Sequence, residues 1–359
     1  MPLLIISLII AGCSLKPVSV QPDHKWIEYT GRIDFTDPGS PAFSYSGVSI
    51  RAAFRGSSVS IRLDDEGKEN YYNIILDGDV ILRLKPEKGL KTYELAKDLP
   101  DSADEIEIFK LTEEMFGKTK FRGFAITGEL IPLENKRDHL IEYIGNSITC
   151  GYGNEGKNGQ AKFSASTENH YLTYAAVTSR NFNARHLAVC KSGIGIYRNY
   201  DGPPEGNEDC MPNYYNRIFL YDEQPKYDFK DKPDLVCINL GTNDFSTDGG
   251  DSALYVSHYI TFIDSVQQYN GGADIICLLG PMLSGEDLAK VRHYVQQVVA
   301  VANEKKTGKV HFFEMSQQTG DLGIGIDYHP TVEQHLKNAT ELTNFIVQLK
   351  GWDIVEVNE

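Results

Sequence analysis

A change of rhythm near residue 134 constrains the fold more than any other feature of the sequence. From about Trp26 to Leu133 the apolar residues recur with a period close to two. They form short runs such as VSIRAAF, SVSIRLDD, YYNIILDG, DVILRLKP, DEIEIFKLTE and GFAITGELIPL. Turn pairs such as Asp77-Gly78 and Lys88-Gly89 separate them. Short alternating runs between turn residues predict an all-β sandwich or barrel, with no helix before residue 134. After PLENKRD the pattern changes. Apolar strands are expected at Leu140–Ile144, Leu187–Cys190, Leu235–Leu240, Ile275–Leu279 and Val310–Glu314. Helix-period segments fall between and after them, near His170–Phe182, Ala253–Tyr269, Glu286–Asn303 and Thr331–Leu349. Nearly continuous apolar strands joined by helical crossovers predict a parallel sheet covered on both faces. The chain therefore divides into a β-domain at 23–134 and an α/β domain at 138–359. One irregular stretch, Asn199–Lys232, is rich in Tyr, Pro, Gly and Asn, and a loop of that length is expected to be functional.

The 359 residues suffice for two such domains. With 35 basic and 50 acidic residues the net charge is -15, which repels phosphate backbones and argues against nucleic acid as a partner. It leaves neutral polysaccharides and small molecules open. The N-terminal run MPLLIISLIIAGC is too short to span a bilayer and has the length of a secretory h-region. Ala11-Gly12 directly before Cys13 resembles a bacterial lipobox, although a basic n-region is missing. Residues 1–22 are accordingly read as a lipoprotein-type signal and tether, with lipidation at Cys13; an ordinary signal peptide is the alternative. Either predicts export, to the periplasm or the cell surface, with membrane contact only through the lipid. The other cysteines are Cys150, Cys190, Cys210, Cys237 and Cys277. None has CxxC spacing, so no zinc site is indicated. Cys190, Cys237 and Cys277 lie in apolar runs and read as small buried hydrophobes. A Cys150–Cys210 disulfide has no support in the spacing.

Ligands of parallel α/β sheets bind beyond the carboxyl ends of the strands. The first expected strand ends in EYIGNSITCGYGNEG, which places Ser147 at its exit. KSGIGIY, with Gly193, follows the second strand, and LGTNDFS, with Asn243, follows the third. Near the C-terminus stands GIDYHPTVEQH, with Asp327 and His329. A serine hydroxyl is a poor nucleophile until a base takes its proton, and a histidine near neutrality suits that task. The tetrahedral intermediate of acyl transfer needs preorganised donors, for which the Ser147 and Gly193 N–H groups and the Asn243 amide are candidates. No metal or cofactor is called for. Asp244 reads as a helix cap. His335, six residues beyond His329, reads as a surface residue.

These four segments resemble the four sequence blocks of the SGNH, or GDSL-like, hydrolases, which contribute Ser, Gly, Asn and His in this chain order. The resemblance covers about residues 138 to 350. The long form IGNSITCGYGNEG, the all-β N-terminal half and DYHP together resemble carbohydrate esterase family two. That family joins a jelly-roll β-sandwich to a flavodoxin-like SGNH domain and removes acetyl groups from plant-wall polysaccharides such as xylan and mannans. The resemblance implies Ser147 as nucleophile, His329 as base, and Ser147, Gly193 and Asn243 as the oxyanion hole. Two positions depart from the superfamily. Asn146 stands where Asp usually precedes the serine. Asp327 lies two residues before His329 rather than three, where Ile326 stands instead. Either the Asp327 carboxylate or, as in some members of family two, a backbone carbonyl is then expected to orient the imidazole.

The expected function is an exported esterase acting on acetylated polysaccharide or oligosaccharide, xylan or glucomannan, with a preference for acetate on the 6-hydroxyl of hexoses. The alternatives are an SGNH esterase for another ester, pectic or lipid, and a non-catalytic glycan-binding protein. Tyr197, Tyr200, Tyr214 and Tyr215 are candidates for an aromatic platform under a sugar ring, or for packing of the long loop.

Overall fold

The structure is a computed structural model that describes residues 16–100, 102–247, 250–305 and 309–355. The apolar leader and Cys13 lie outside the described residues. The first half contains β1 (Val18–Val20), β2 (Ile27–Thr30), β3 (Ile33–Asp34), β4 (Ala42–Phe43), β5 (Ser49–Asp65), β6 (Tyr72–Leu76), β7 (Asp79–Leu84), β8 (Gly89–Lys97), β9 (Ala103–Lys110) and β10 (Thr119–Ile131). Every pairing among them is antiparallel. The 17-residue strand β5 organises the domain. Along one edge it pairs first with β2 and then with β10; along the other, first with β9 and then with β8. A strand with two successive partners on each edge carries the sheet from one layer into the next. Its alternate residues Val59, Ile61 and Leu63 are wholly buried, as the period-two rhythm requires.

The second half contains β11 (Leu140–Gly145), α1 (Ser147–Cys150), α2 (Tyr174–Asn181), β12 (Arg185–Cys190), α3 (Met211–Tyr214), β13 (Leu235–Asn239), α4 (Ser252–Asn270), β14 (Asp274–Leu279), α5 (Gly285–Glu304), β15 (Val310–Glu314) and α6 (Val332–Lys350). The five strands are parallel in the order β12-β11-β13-β14-β15, a flavodoxin-like doubly wound sheet. Alternation along each strand serves two faces. Ile141, Tyr143, Leu235 and Cys237 pack with Tyr174 of α2 and with Leu342 and Ile346 of α6. Ile144, Val236, Ile238 and Cys277 pack with Tyr259 and Ile263 of α4 and with Val295 and Val298 of α5. The α-helix expected near His170–Phe182 begins only at Tyr174, after a 3-10 turn at His170–Leu172. Thr173 sets that start, because its hydroxyl accepts the Ala176 N–H and caps the first turn. Cys150, Cys190, Cys210, Cys237 and Cys277 are all free and buried, so Cys150 and Cys210 form no disulfide. Among the described residues no helix is long and apolar enough to cross a membrane.

The two halves share a buried charged joint. Arg32, wholly buried in the β-domain, reaches Glu142 in the middle of β11 with an N···O distance of 3.2 Å. Glu142 also accepts the Tyr215 hydroxyl (2.6 Å) and the Asn270 amide (3.0 Å). The Arg32 guanidinium donates to the backbone carbonyls of Tyr215 and Arg217 and lies 4.6 Å from the Tyr227 ring centroid. Removing one partner of a buried pair leaves the other charge uncompensated, which typically costs about 3–5 kcal/mol. Arg32→Ala is therefore expected to lower the urea midpoint of unfolding by the equivalent of about 3 kcal/mol or more. A loss under about 1 kcal/mol would place the joint outside the cooperative core.

Candidate active site

Gly145, the last residue of β11, pairs with Cys190 on one side and Asn239 on the other. Three chain segments therefore leave the sheet side by side, carrying Ser147, Ser192-Gly193 and Asn243. Asn146 caps the short helix α1, its Oδ1 accepting the Ile148 N–H at 3.0 Å. A carboxylate at this position would make the same bond, which accounts for the tolerated departure from Asp. Ser147 opens the helix, so its N–H has no intrahelical acceptor. Gly151 closes it in the left-handed conformation, at φ 87°. A Cβ on Gly153 or Gly156 would overlap the Ile326 side chain. The glycines after the serine thus let the His329 turn pack against the serine's own loop, and Gly153 O accepts the Ile326 N–H at 3.2 Å.

That turn carries the base. His329 Nε2 lies 2.8 Å from Ser147 Oγ. On the other side of the ring, Nδ1 is 3.1 Å from the backbone carbonyl of Ile326 and 3.1 Å from that of Asp327. Two carbonyl acceptors fix the tautomer: Nδ1 carries the proton and Nε2 presents its lone pair to the serine hydroxyl. The geometry requires left-handed backbone at two non-glycine residues, Asp327 (φ 48°, ψ 41°) and Tyr328 (φ 61°). Such residues are strained and persist only where their surroundings hold them. Of the two expected orienters, the carbonyl is therefore the one in contact. The Asp327 carboxylate points elsewhere, accepting the Tyr152 hydroxyl at 2.8 Å. At a spacing of two residues, the turn that brings the carbonyl to the ring directs the side chain outward. Tyr152 in turn lies 4.5 Å from the His329 ring and stacks on Phe163 at 3.9 Å, walling the imidazole on one face. Burial pulls the His329 pKa below its ordinary value, against the opposing pull of the two carbonyls.

Gly193 adopts φ 79°, which glycine reaches without strain, and its N–H meets no acceptor among the described residues. The Asn243 amide donates one hydrogen to Ile194 O at 2.8 Å, which leaves its second hydrogen for an incoming oxygen. Asp244 does not cap a helix. It is wholly buried and accepts the N–H groups of Ile196 (3.0 Å), Tyr197 (3.0 Å) and Arg198 (3.2 Å), so it ties the third block to the second. Burial pushes its carboxyl up to about 6.

The four candidate platform tyrosines separate. Tyr215 is buried in the Glu142 network, and the Tyr197 hydroxyl is bound to the Asp251 N–H, so both pack the long loop and neither can face a sugar. Tyr214 is partly buried under the Arg217 guanidinium. Tyr200 is 61% exposed and sits beside the oxyanion loop, its N–H donating to Gly193 O at 2.8 Å. His335 is buried rather than on the surface, and its Nδ1 accepts the Tyr174 N–H at the start of α2. Its spacing with Ala339, Leu342 and Ile346 places it on the inner face of α6, a periodicity legible in the sequence. Sequence reasoning missed Tyr152 and Tyr328. Tyr328 is 59% exposed directly before His329, and its position in DYHP was the available signal. Nothing local marks Glu113, a β-domain residue that reaches Ser192.

Residues 29–133 match the family described as carbohydrate esterase 2 N-terminal, and residues 143–336 match the GDSL-like lipase/acylhydrolase family. A cellulase/esterase of Acetivibrio thermocellus, CelE, is 37% identical over 92% of this chain, and the chain spans 40% of that longer protein. An acetylxylan esterase/glucomannan deacetylase of Cellvibrio japonicus is 27% identical, covering 91% of this chain and 89% of the relative. Among solved structures, a family two carbohydrate esterase from Clostridium thermocellum in complex with cellohexaose superimposes with a TM-score of 0.86. It is 37% identical, with 91% of this chain and 99% of that one covered.

If the carbonyls orient the imidazole, Asp327→Ala should cost no more than about tenfold in kcat, against roughly 10⁴ for a carboxylate of a working triad. His329→Ala should remove nearly all turnover. Steady-state kinetics on p-nitrophenyl acetate measures both, and a loss of about 10³ or more in Asp327→Ala would overturn the carbonyl assignment. The His329 shift also sets a pH dependence. The free base is the active form, so kcat/KM falls as pH drops through the His329 pKa. Because burial lowers that pKa, the acidic limb is expected below about pH 6.5, and a midpoint near 7 would contradict it.

Proposed function

Because this chain belongs to carbohydrate esterase family two, and its second half to the GDSL-like lipase/acylhydrolases, we propose that it is a serine esterase removing O-acetyl groups from plant-wall polysaccharide. The single observation that carries this reading is the 2.8 Å contact between Ser147 Oγ and a His329 ring whose other nitrogen is held by the main chain. As the Ser147 oxygen attacks the acetyl carbonyl, Nε2 takes the serine proton. The carbonyl oxygen becomes an oxyanion between the Ser147 and Gly193 N–H groups and the free hydrogen of the Asn243 amide. One such donor is typically worth about 3 kcal/mol of barrier. Collapse expels the sugar hydroxyl, which receives the proton from His329 and leaves acetyl-Ser147. Water, deprotonated by the same nitrogen, then releases acetate. No step calls on a metal or a cofactor.

The sugar then lies at the mouth of the cleft, with exposed Tyr200 and Tyr328 as the faces available to it. A 6-hydroxyl projects farthest from a hexose ring, so its acetate enters a narrow site with least distortion. Support comes from the Cellvibrio relative, named for both acetylxylan and glucomannan, and from the cellohexaose complex of the Clostridium enzyme. The same reading has the protein exported and held at a membrane by lipid on Cys13, as the sequence before that residue implies.

The test follows a singly 6-acetylated hexoside beside its 2- and 3-acetylated isomers by NMR. A kcat/KM at least about tenfold higher on the 6-isomer is expected, together with loss of several orders of magnitude in Ser147→Ala. Faster loss of a 2- or 3-acetyl group would overturn the preference. Turnover by Ser147→Ala at a tenth of wild type would overturn the mechanism itself.

A further inference from the structure

Glu113 belongs to the β-domain, three residues beyond the end of β9, yet both of its carboxylate oxygens are spent on the α/β domain. Oε2 accepts the backbone N–H of Ser192 at 2.8 Å, and Oε1 accepts the Ser192 hydroxyl at 2.6 Å. Ser192 is the residue before Gly193, whose N–H meets no acceptor among the described residues. The clamp sits on a rigid base. Glu113 is buried, at 2% exposure, and its own N–H donates to Glu168 Oε2 at 3.4 Å. Lys110 Nζ donates to Thr112 O at 2.5 Å and to Glu113 O at 3.5 Å, which fixes the main chain on either side of the Thr112–Glu113 peptide. The next residue acts in the same direction, with the Glu114 carboxylate accepting the Leu220 N–H at 2.6 Å and so holding the long loop.

Burial alone does not call for this arrangement. An apolar residue at 113 would pack as well in the joint and would cost no carboxylate desolvation. What the carboxylate adds is a two-point hold on one residue, Ser192, at its backbone N–H and at its hydroxyl. Gly193 has no side chain to anchor it and a φ that glycine leaves readily, so its N–H direction depends on what grips its neighbours. Ser192 is gripped by Glu113 on one side of Gly193, and Asn243 grips Ile194 on the other.

We propose that Glu113 is a positioning residue: through Ser192 it sets the direction of the Gly193 N–H, so the β-domain supplies part of the oxyanion hole's support. The inference rests on the esterase reading above. A donor misdirected by a fraction of an ångström weakens the transition state more than the ground state, so the loss appears in kcat and not in KM.

The test uses the full chain, with wild type, Glu113→Gln, Ser192→Ala and the double variant assayed on p-nitrophenyl acetate. Glu113→Gln keeps the size and one acceptor oxygen for the Ser192 N–H, but its amide can meet the Ser192 hydroxyl only as a donor, so the second contact is reversed and loses its charge assistance. Its kcat is expected to fall roughly 10- to 100-fold with KM within about twofold, less than the 10²–10³ of deleting a donor outright. Ser192→Ala leaves the backbone bond and should lose about three- to tenfold. The double variant should be no worse than Glu113→Gln alone, because both changes break one contact. Thermal unfolding of each variant guards against loss of fold, and a Ser192→Ala that melts like wild type while losing kcat supports the proposal even where Glu113→Gln unfolds. Glu113→Gln turnover within threefold of a well-folded wild type, or fully multiplicative losses in the double variant, would overturn it. An inactive wild type would instead sink the esterase reading, which keeps the two failures apart.

Discussion

Glu142 lies in β11, an interior strand of the parallel sheet, 2% exposed, and its counter-charge comes from Arg32 in the other half of the chain. A carboxylate in that position cannot be left unmet, so the β-domain has one docking position that satisfies it. The rest of the joint follows from that constraint. Glu107 of β9 reaches Arg137 with two hydrogen bonds at the start of the second half. Glu113 and Glu114 meet backbone N–H groups of the oxyanion and long loops. Glu168, whose carboxyl is pushed well up by burial and then by the charge of Glu113, lies beneath them. The first half of the chain is therefore part of the frame that holds the site, whatever else its surface binds.

Within that frame the parallel sheet does the assembling. Gly145 pairs with Cys190 and Asn239 at one level, so the residues that follow each strand emerge on a common rim. The fourth contribution has no strand beneath it. His329 arrives on a turn bent back by two left-handed residues and packed against Gly153 and Gly156. Ser147 and His329 are thus held by one contact surface, Ile326 against the loop that follows the serine.

Much of this was legible in the sequence, and the reasons differ from residue to residue. The strands of the second half showed because β11, β13 and β14 are buried on both faces and read as nearly continuous apolar runs, whereas the edge strand β15 is only half-buried. Ser147 and His329 stood out only in company: Gly-Asn-Ser alone is an ordinary turn, and it gained meaning from the Gly193, Asn243 and His329 segments that follow it in order. The departures mark where local pattern carries no tertiary information. Whether Asp327 faced the imidazole depended on the hand of its backbone, which no side-chain pattern announces. Tyr197 and Tyr215 looked the same as Tyr200 in sequence, but their hydroxyls meet Asp251 and Glu142 from distant segments. His335 was misread because its distance from His329 was weighed and its phase with Leu342 was not. Glu113 was invisible because its partner lies 79 residues away in the other domain.

The turn at Ile326–Tyr328 has one more consequence, for how such a chain is lost or kept by descent. A catalytic carboxylate is a codon that a single change can erase, whereas a main-chain carbonyl is supplied by any residue that can hold the bend. Orientation of the His329 ring here depends on backbone path, so under the esterase reading fewer single substitutions would silence the site through a missing functional group than in a three-residue unit. On the esterase reading, a variant of this chain without the Asp327 carboxylate keeps the two carbonyls that meet the ring, so loss of that side chain need not silence it. Persistence of the serine, the histidine and the small residues that admit the turn is the sounder mark of a working descendant.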